Sequence, residues 1–411
     1  MATIAENLTL LKSTKAGIKA AIEAKGVSNV GDKFSDYPAK IASIPTGGGG
    51  VSQWTGTVDR AGLTELGWST TDIDNLQANV RWYDWQDPDY TVVDADKSIT
   101  AISQYKDNKD VRYAKMLDTS QVTDMNSKFN GCSRLTSIPA LDTSQVTTMY
   151  SMFSGCSSLK TIPALDTSQV TNMGYMFQGC FSLTPIPALD TSKVTTMYSM
   201  FYGCSSLTSI PTLDTSQATD MNSMFGYCSS LASIPTLDTS QVTRMDNMFR
   251  NCTRLTTIPT LNTSKVTNMY QMFYGCSSLT SIPALDTSKV TNMENMFSGC
   301  TSLTSIESID FSSCTNTNYM FPSYTNYSKL TSMHVTGSIS FSWTSDGFSS
   351  IPNLDFNSIK SILEAMNRCT NPETAKTMSF NSTMTDQDSQ LTNLVSECNG
   401  KGWTITGLTI N

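Results

Sequence analysis

Leu141-Asp-Thr-Ser-Gln-Val-Thr-Thr-Met-Tyr-Ser-Met-Phe-Ser-Gly-Cys-Ser-Ser-Leu-Lys-Thr-Ile-Pro-Ala164 returns along the chain at an unbroken spacing. Its cysteine recurs at Cys132, Cys156, Cys180, Cys204, Cys228, Cys252, Cys276 and Cys300, a constant step of 24 residues. Leu117 to Leu285, Met125 to Met293, Phe129 to Phe297, Leu135 to Leu303 and Ile138 to Ile306 mark further columns in the same register. A second methionine column runs from Met152 to Met296, with Lys128 as its atypical first member. A ninth, degenerate copy keeps Ile309, Asp310, Cys314, Met320 and Phe321, but Pro322 interrupts it and three extra residues precede Leu330. One copy is too short to bury its own apolar side chains, so the copies must stack against each other.

The local patterns divide each coil. L-x-x-I-P-x-L-D alternates as a strand does, D-T-S reads as a corner, and Val-Thr as a second extended piece. M-x-x-M-F-x-G-C places apolar residues three and four apart, which predicts a helical turn closed by Gly. Strands of successive coils are expected to pair in parallel about 4.8 Å apart, giving a curved sheet roughly 40 Å long for nine coils.

The combination M-F-x-G-C-x-S-L-x-x-I-P-x-L-D-T-S-x-V-T resembles the BspA-like leucine-rich-repeat family of bacterial surface and adhesion proteins. The likeness covers roughly residues 111–352 and implies a right-handed leucine-rich-repeat solenoid used for adhesion. The expected fold class is an α/β repeat solenoid: leucine-rich-repeat-like stacked coils with a parallel sheet, an N-terminal helix and a mixed α/β C-terminal cap.

Composition narrows the function. The 411 residues carry 27 Lys and Arg against 35 Asp and Glu, a formal charge of -8, which argues against a nucleic-acid surface. No apolar stretch approaches the ~18 residues of a membrane helix, so no membrane insertion is expected. Glu6 and Lys12 interrupt the first apolar residues, and no secretory signal is read there. His334 is the single histidine, which removes the commonest base and ligand from most enzymatic schemes. No convincing pair of catalytic carboxylates supports a polysaccharide-acting enzyme either. The chain reads as a non-enzyme without cofactor or metal.

The repeated columns have a bland reading and a sharper one. Eight cysteines stepping in one direction suit a ladder of buried free thiols better than disulfides, whose Cβ vectors must converge; no C-x-x-C pair suggests a metal site. Cys314, Cys369 and Cys398 lie outside the ladder and read as core residues. The methionines beside each Phe read as core and not as a copper site or promiscuous groove, because a thioether fills gaps against a ring edge. The Asp column, from Asp118 to Asp310 with Asn262 in its midst, suits a side chain that accepts from the backbone two residues on and holds the corner; the alternative is a calcium ladder.

Columns that change between coils bear on binding. One reads Asn126, Tyr150, Gly174, Tyr198, Asn222, Asp246, Tyr270, Glu294; another reads Asn130, Ser154, Gln178, Tyr202, Gly226, Arg250, Tyr274, Ser298. Helical spacing predicts that Tyr198 lies beside Tyr202, and Tyr270 beside Tyr274. Tyr175 and Tyr227 extend the aromatic set, while Arg244, Arg250 and Arg254 add donors within one coil. The candidate ligand-binding residues are therefore Tyr150, Tyr175, Tyr198, Tyr202, Tyr227, Arg244, Arg250, Tyr270 and Tyr274. Tyrosines amid Ser, Thr, Asn and Gln suit stacking on sugars and adaptable hydrogen bonding; the plainer reading is solvated rings covering the core edge.

The remaining chain divides into an N-terminal helical segment at 1–45, a Gly-rich linker at 46–53, a small Trp-rich domain or N-terminal cap at 54–110, the solenoid at 111–352 and a C-terminal cap at 353–411. Ile4, Leu8, Leu11, Ile18 and Ile22 form a short heptad seam that suits a homo-oligomer such as a trimer. Trp82 and Trp85 read as core or as a sugar platform. Helices are expected around Ile359, Ile362, Leu363 and Met366, and around Leu391, Leu394, Val395 and Cys398, with strands near Met378 and Trp403.

E-N-L-x-x-L-K-x-x-K-x-x-I-K-x-A-I-x-x-K-G-V followed by polyglycine resembles the N-terminal regions of bacteriophage fibre and tail proteins. That resemblance implies a virion structural protein, a head or tail fibre or decoration. It would join other virion proteins through the N-terminal segment and meet a host-surface glycan or protein through the solenoid. The alternative is a bacterial cell-surface adhesin.

Overall fold

The computed structural model describes residues 105–111, 114, 119–343, 347–369, 376–386 and 388–411, all within one compact unit, Val93–Asn411. The heptad seam Ile4, Leu8, Leu11, Ile18 and Ile22, the linker, the four N-terminal tryptophans, Leu117 and Asp118 lie outside the described residues.

The repeated segment is a stack of coils. Met149, Met152, Phe153, Cys156 and Leu159 are fully buried, and so are their equivalents from Met173 to Leu279. Phe153, Phe177, Phe201, Phe225, Phe249, Phe273 and Phe297 form one file with ring centroids 5.7–5.9 Å apart and planes within 10°. Each ring pair adds about 0.5–1.5 kcal/mol beyond the area it buries.

The turn between the methionines and the cysteine is not helical. In the coil of Met149, the Met152, Ser154 and Cys156 N–H groups donate three residues back, to Met149, Ser151 and Phe153, at 3.0–3.1 Å. The intervening Met149, Ser151, Phe153 and Gly155 N–H groups donate instead to Asn172, Gly174, Met176 and Gln178 of the next coil, at 2.7–3.0 Å. A left-handed residue recurs every four, at Ser151 (φ 53°) and Gly155 (φ 76°), and rotates the donors out of the helical path. Alternate donors thus serve their own coil and its neighbour, which keeps every peptide of a helix-free turn satisfied.

The parallel sheet also differs from its expected course. Regular strands arise late, β1 at Ser281–Ile282, β2 at Ser305–Asp310 and β3 at Ser332–Thr336, pairing in parallel in that order. Earlier coils carry Pro139, Pro163, Pro187, Pro211, Pro235 and Pro259 in this stretch, and each removes a ladder donor. The first long strand, β2, forms where Glu307 stands in the proline column. The earlier coils are joined by parallel bridges one residue before the methionine, through Asp124, Thr148, Asn172, Thr196, Asp220 and Arg244.

Hydroxyls and thiols complete the ladder. The buried Thr143, Thr167, Thr191, Thr215, Thr239, Thr263 and Thr287 Oγ1 atoms each donate to the Asp or Asn carbonyl of the next coil at 2.8–2.9 Å. Asp142 Oδ1 accepts from the Ser144 N–H at 3.0 Å and its hydroxyl at 2.7 Å, and Asn262 holds Ser264 at 3.1 and 2.7 Å. Carboxylate and amide hold the corner alike, as an acceptor two residues back requires. The serine bonds hold the Asp166, Asp190, Asp214, Asp238 and Asp286 carboxyls below their ordinary pKa.

Helix α1 (Phe356–Asn367), β4 (Lys376–Met384), α2 (Gln390–Gly400) and β5 (Trp403–Ile410) follow the coils. Asp355 caps α1 by accepting from the Ser358 N–H at 2.7 Å, and Ile359, Ile362, Leu363 and Met366 fill its buried face. The outer edge of β3 is not left open. Its Met333 and Val335 N–H groups donate to the Ser358 and Ser361 hydroxyls of α1 at 2.8 and 3.1 Å, which satisfies donors that would otherwise template another strand. β4 and β5 pair in parallel.

Candidate functional site

The eight ladder thiols face inward and are free. Each Sγ donates to a carbonyl 27 residues earlier, Tyr105 for Cys132 and the phenylalanine of the preceding coil for the others, at 2.8–3.2 Å. Burial pushes the Cys228 and Cys276 thiols up to about 12 and raises Cys180, Cys204, Cys252 and Cys300 as well, so these six are not poised as nucleophiles. Among the described residues no group of His, Cys, Asp or Glu is placed to hold a metal ion. The interior is structural, and a binding site must be sought on the outer side of the turn.

There the half-buried tyrosines meet across coils. Tyr175 lies 4.7 Å from Tyr198 and 5.7 Å from Tyr150, both edge-on, and Tyr150 reaches Tyr198 at 6.3 Å. Tyr202 packs on Tyr227 at 5.2 Å. The side-by-side pairs expected from helical spacing, Tyr198 with Tyr202 and Tyr270 with Tyr274, are replaced by these inter-coil clusters. Two causes combine: the turn is not a helix, and glycines open gaps under the rings. A Cβ on Gly174 would meet the Tyr198 ring at 3.0 Å, and one on Gly226 the Tyr202 ring at 2.9 Å. Each ring lies down over a position with no side chain. Burial, with the neighbouring Tyr150 hydroxyl, raises the Tyr198 phenol; burial, with the adjacent Tyr227, raises Tyr202.

The arginines have separate roles. Arg244 is exposed and pairs with Asp220 at 3.6 Å and Asp246 at 3.4 Å, alongside the bridge ladder. Asn222 also donates to Asp246, which is buried and keeps its other carboxylate oxygen unpartnered. Arg250 is half-buried, its guanidinium 5.4 Å from the Tyr227 ring centre and 5.3 Å from that of Tyr274. Among the described residues Tyr270 joins no ring cluster; Asn268 accepts from its N–H at 2.9 Å.

Tyr227 occupies the column that is Gly155, Gly179 and Gly203 in other coils and adopts the same left-handed backbone, at φ 61°. For a bulky residue this costs about 1 kcal/mol or more that glycine avoids. The next coil has Asn251 there, a residue that tolerates the conformation. The Tyr227 ring is therefore placed beside Arg250 at a backbone cost. The chain around Gly226 and Tyr227 carried a readable signal, a glycine missing from its column and another displaced by one residue.

No curated protein matches the chain. Among solved structures, a leucine-rich repeat protein from Eubacterium ventriosum is similar at 17% identity, covering 63% of this chain and 91% of that one, with a TM-score of 0.26. The TLR13-ssRNA13 complex is similar at 14% identity over 75% of this chain and 52% of that one, with a TM-score of 0.21. The family described as Mycoplasma protein of unknown function, DUF285, matches residues 99–209, 135–233, 180–280 and 219–334. These matches span more than half of the chain, and with its BspA-like leucine-rich repeats it belongs to that family.

Proposed function

We propose that this protein is a non-enzymatic adhesion scaffold, whose stacked coils hold a row of tyrosine and arginine side chains toward a surface glycan or protein. The observation that carries this reading is the contrast across one turn. From Met149 to Cys300 the inward Met, Met, Phe and Cys columns repeat unchanged and are fully buried, whereas the outward columns hold Tyr150, Tyr198, Tyr202, Arg250, Tyr270 and Tyr274 at half-exposed sites. Rigid, amphipathic rings beside hydroxyls and amides provide contact area with little side-chain entropy to lose. The BspA-like type of the repeats supports a surface adhesion role. Attachment to a virion through residues 1–45, as a fibre or decoration, and display on a bacterial cell are both settings for such a scaffold. Antibody labelling of intact cells and of purified particles separates them.

Retention on host cells tests the reading itself. Replacing Tyr202, Tyr270 and Tyr274 together with Ser is expected to abolish retention while a cooperative melting transition persists. Unchanged retention by the folded triple variant overturns the proposal.

A further inference from the structure

We infer that Arg250, held between Tyr227 and Tyr274, is the anchor for a carboxylated sugar, so that the scaffold binds a glycan bearing an isolated uronic acid. The inference rests on the adhesive reading above and names its ligand class.

The argument begins with the stacking. Two rings lie against the guanidinium, that of Tyr227 with its centre at 5.4 Å and that of Tyr274 at 5.3 Å. Tyr202 adjoins through Tyr227, at 5.2 Å. Contact with two rings restricts the side chain while its N–H groups remain the donors. Among the described residues nothing accepts from these groups: the side chain forms no hydrogen bond or ion pair, and its Nε is buried without a partner. Arg244, in the same coil, has Asp220 and Asp246. A preorganised, half-buried cation without a counter-charge is matched by a planar anion that accepts two parallel N–H bonds, which is the geometry of a carboxylate.

The surroundings favour a sugar as its carrier. The half-buried Tyr202, Tyr227 and Tyr274 rings offer stacking surface beside the guanidinium. Every other described member of the outer column that holds Arg250 is uncharged, and the whole chain carries a net charge of -8. A densely charged polymer would meet one cation and general repulsion. A glycan with a single carboxylate among neutral sugars meets one cation and a polar, aromatic face.

Calorimetry on the full chain tests this with a tetrasaccharide carrying one glucuronate and with its neutral methyl ester. The acid is expected to bind at least tenfold more tightly than the ester, about the difference a charge-assisted bidentate contact makes. Arg250→Gln should reduce the acid to the affinity of the ester, and Arg250→Lys should recover only part of the loss, because a point charge replaces the fork. Circular dichroism confirms that each variant folds. Equal affinity for acid and ester, no binding of either, or wild-type affinity in Arg250→Gln overturns the inference. So does binding of an acidic peptide with neither sugar bound. If the wild-type chain is still retained on host cells in those cases, the adhesive reading survives without it; loss of retention as well removes both.

Discussion

From Met149 onward the inner side of the turn is the same in every regular coil, whereas its outer side changes from coil to coil. Inside, Phe153 to Phe297 form one file of near-parallel rings, and each thiol donates to the carbonyl of a coil it has already passed. Outside, the equivalent backbone positions carry tyrosine, glycine, arginine or glutamine and form clusters that differ along the stack. One backbone supports both because most of its inter-coil hydrogen bonds are made by main-chain groups, the threonine hydroxyls and the thiols, with side chains of an outward column joining only locally, as Asn126 does to the Tyr150 N–H and Asn222 to the Asp246 carbonyl. The outer side is therefore free to vary without loss of the ladder.

Substitutions should reproduce that asymmetry. Phe225→Ala, in the middle of the ring file with neighbours at 5.8 Å on both sides, should cost about 3–5 kcal/mol in chemical denaturation. A cost near zero would mean that the file is not the core of the stack. Cys228→Ala removes a buried sulfur and its bond to the Phe201 carbonyl and is expected to cost about 1–2 kcal/mol in the same measurement. Thr215→Val keeps the shape but loses the bond to the Asp238 carbonyl, a change of about 1 kcal/mol.

The corner carboxylates give a smaller, pH-dependent effect. Serine bonds depress the folded-state pKa of Asp166, Asp190, Asp214 and Asp238, so their stabilisation is complete above the ordinary carboxylate value. It is lost as pH falls through the depressed values, and thermal melts below a pH of about 4 should show the decline. Asp214→Asn should flatten part of it, since Asn262 already holds its corner as a neutral amide. Tyr227→Gly should have the smallest effect on melting temperature. Relief of the left-handed strain, about 1 kcal/mol, offsets the lost ring contacts, while binding at Arg250 falls.

Which residues would be neighbours was legible, because a strict period of 24 specifies what stacks on what whatever path the backbone takes. The path was less so. Met149, Met152 and Phe153 have helical spacing, yet a turn with left-handed residues at Ser151 and Gly155 presents the same three side chains inward. Ser151 gives no hint of its backbone, since serine does not demand that conformation. The parallel ladder expected in the L-x-x-I-P-x-L-D stretch is regular only in the last coils, at Ser281–Ile282, Ser305–Asp310 and Ser332–Thr336, for a readable reason: Pro163 and its equivalents sit in that stretch of the earlier coils, and each removes a donor. The tyrosine set was recognised by composition, but its pairings depended on Gly174 and Gly226, whose missing side chains let rings cross from one coil to another. The seam of Ile4, Leu8, Leu11, Ile18 and Ile22 lies outside the described residues and belongs to neither side of the comparison.

The reach of each contact has a consequence for how such a gene can change. The inter-coil backbone bonds of the regular coils join immediate neighbours, so a whole copy gained or lost by recombination leaves them intact, and the molecule lengthens or shortens by one step with no other adjustment. The Tyr150–Tyr198 contact is different, since it spans two steps across Gly174. An extra copy inserted on either side of Gly174 would be invisible to the interior and would dissolve that cluster. Duplication at that point changes the aromatic surface, whereas duplication between Cys276 and Cys300 changes mainly the length of the stack.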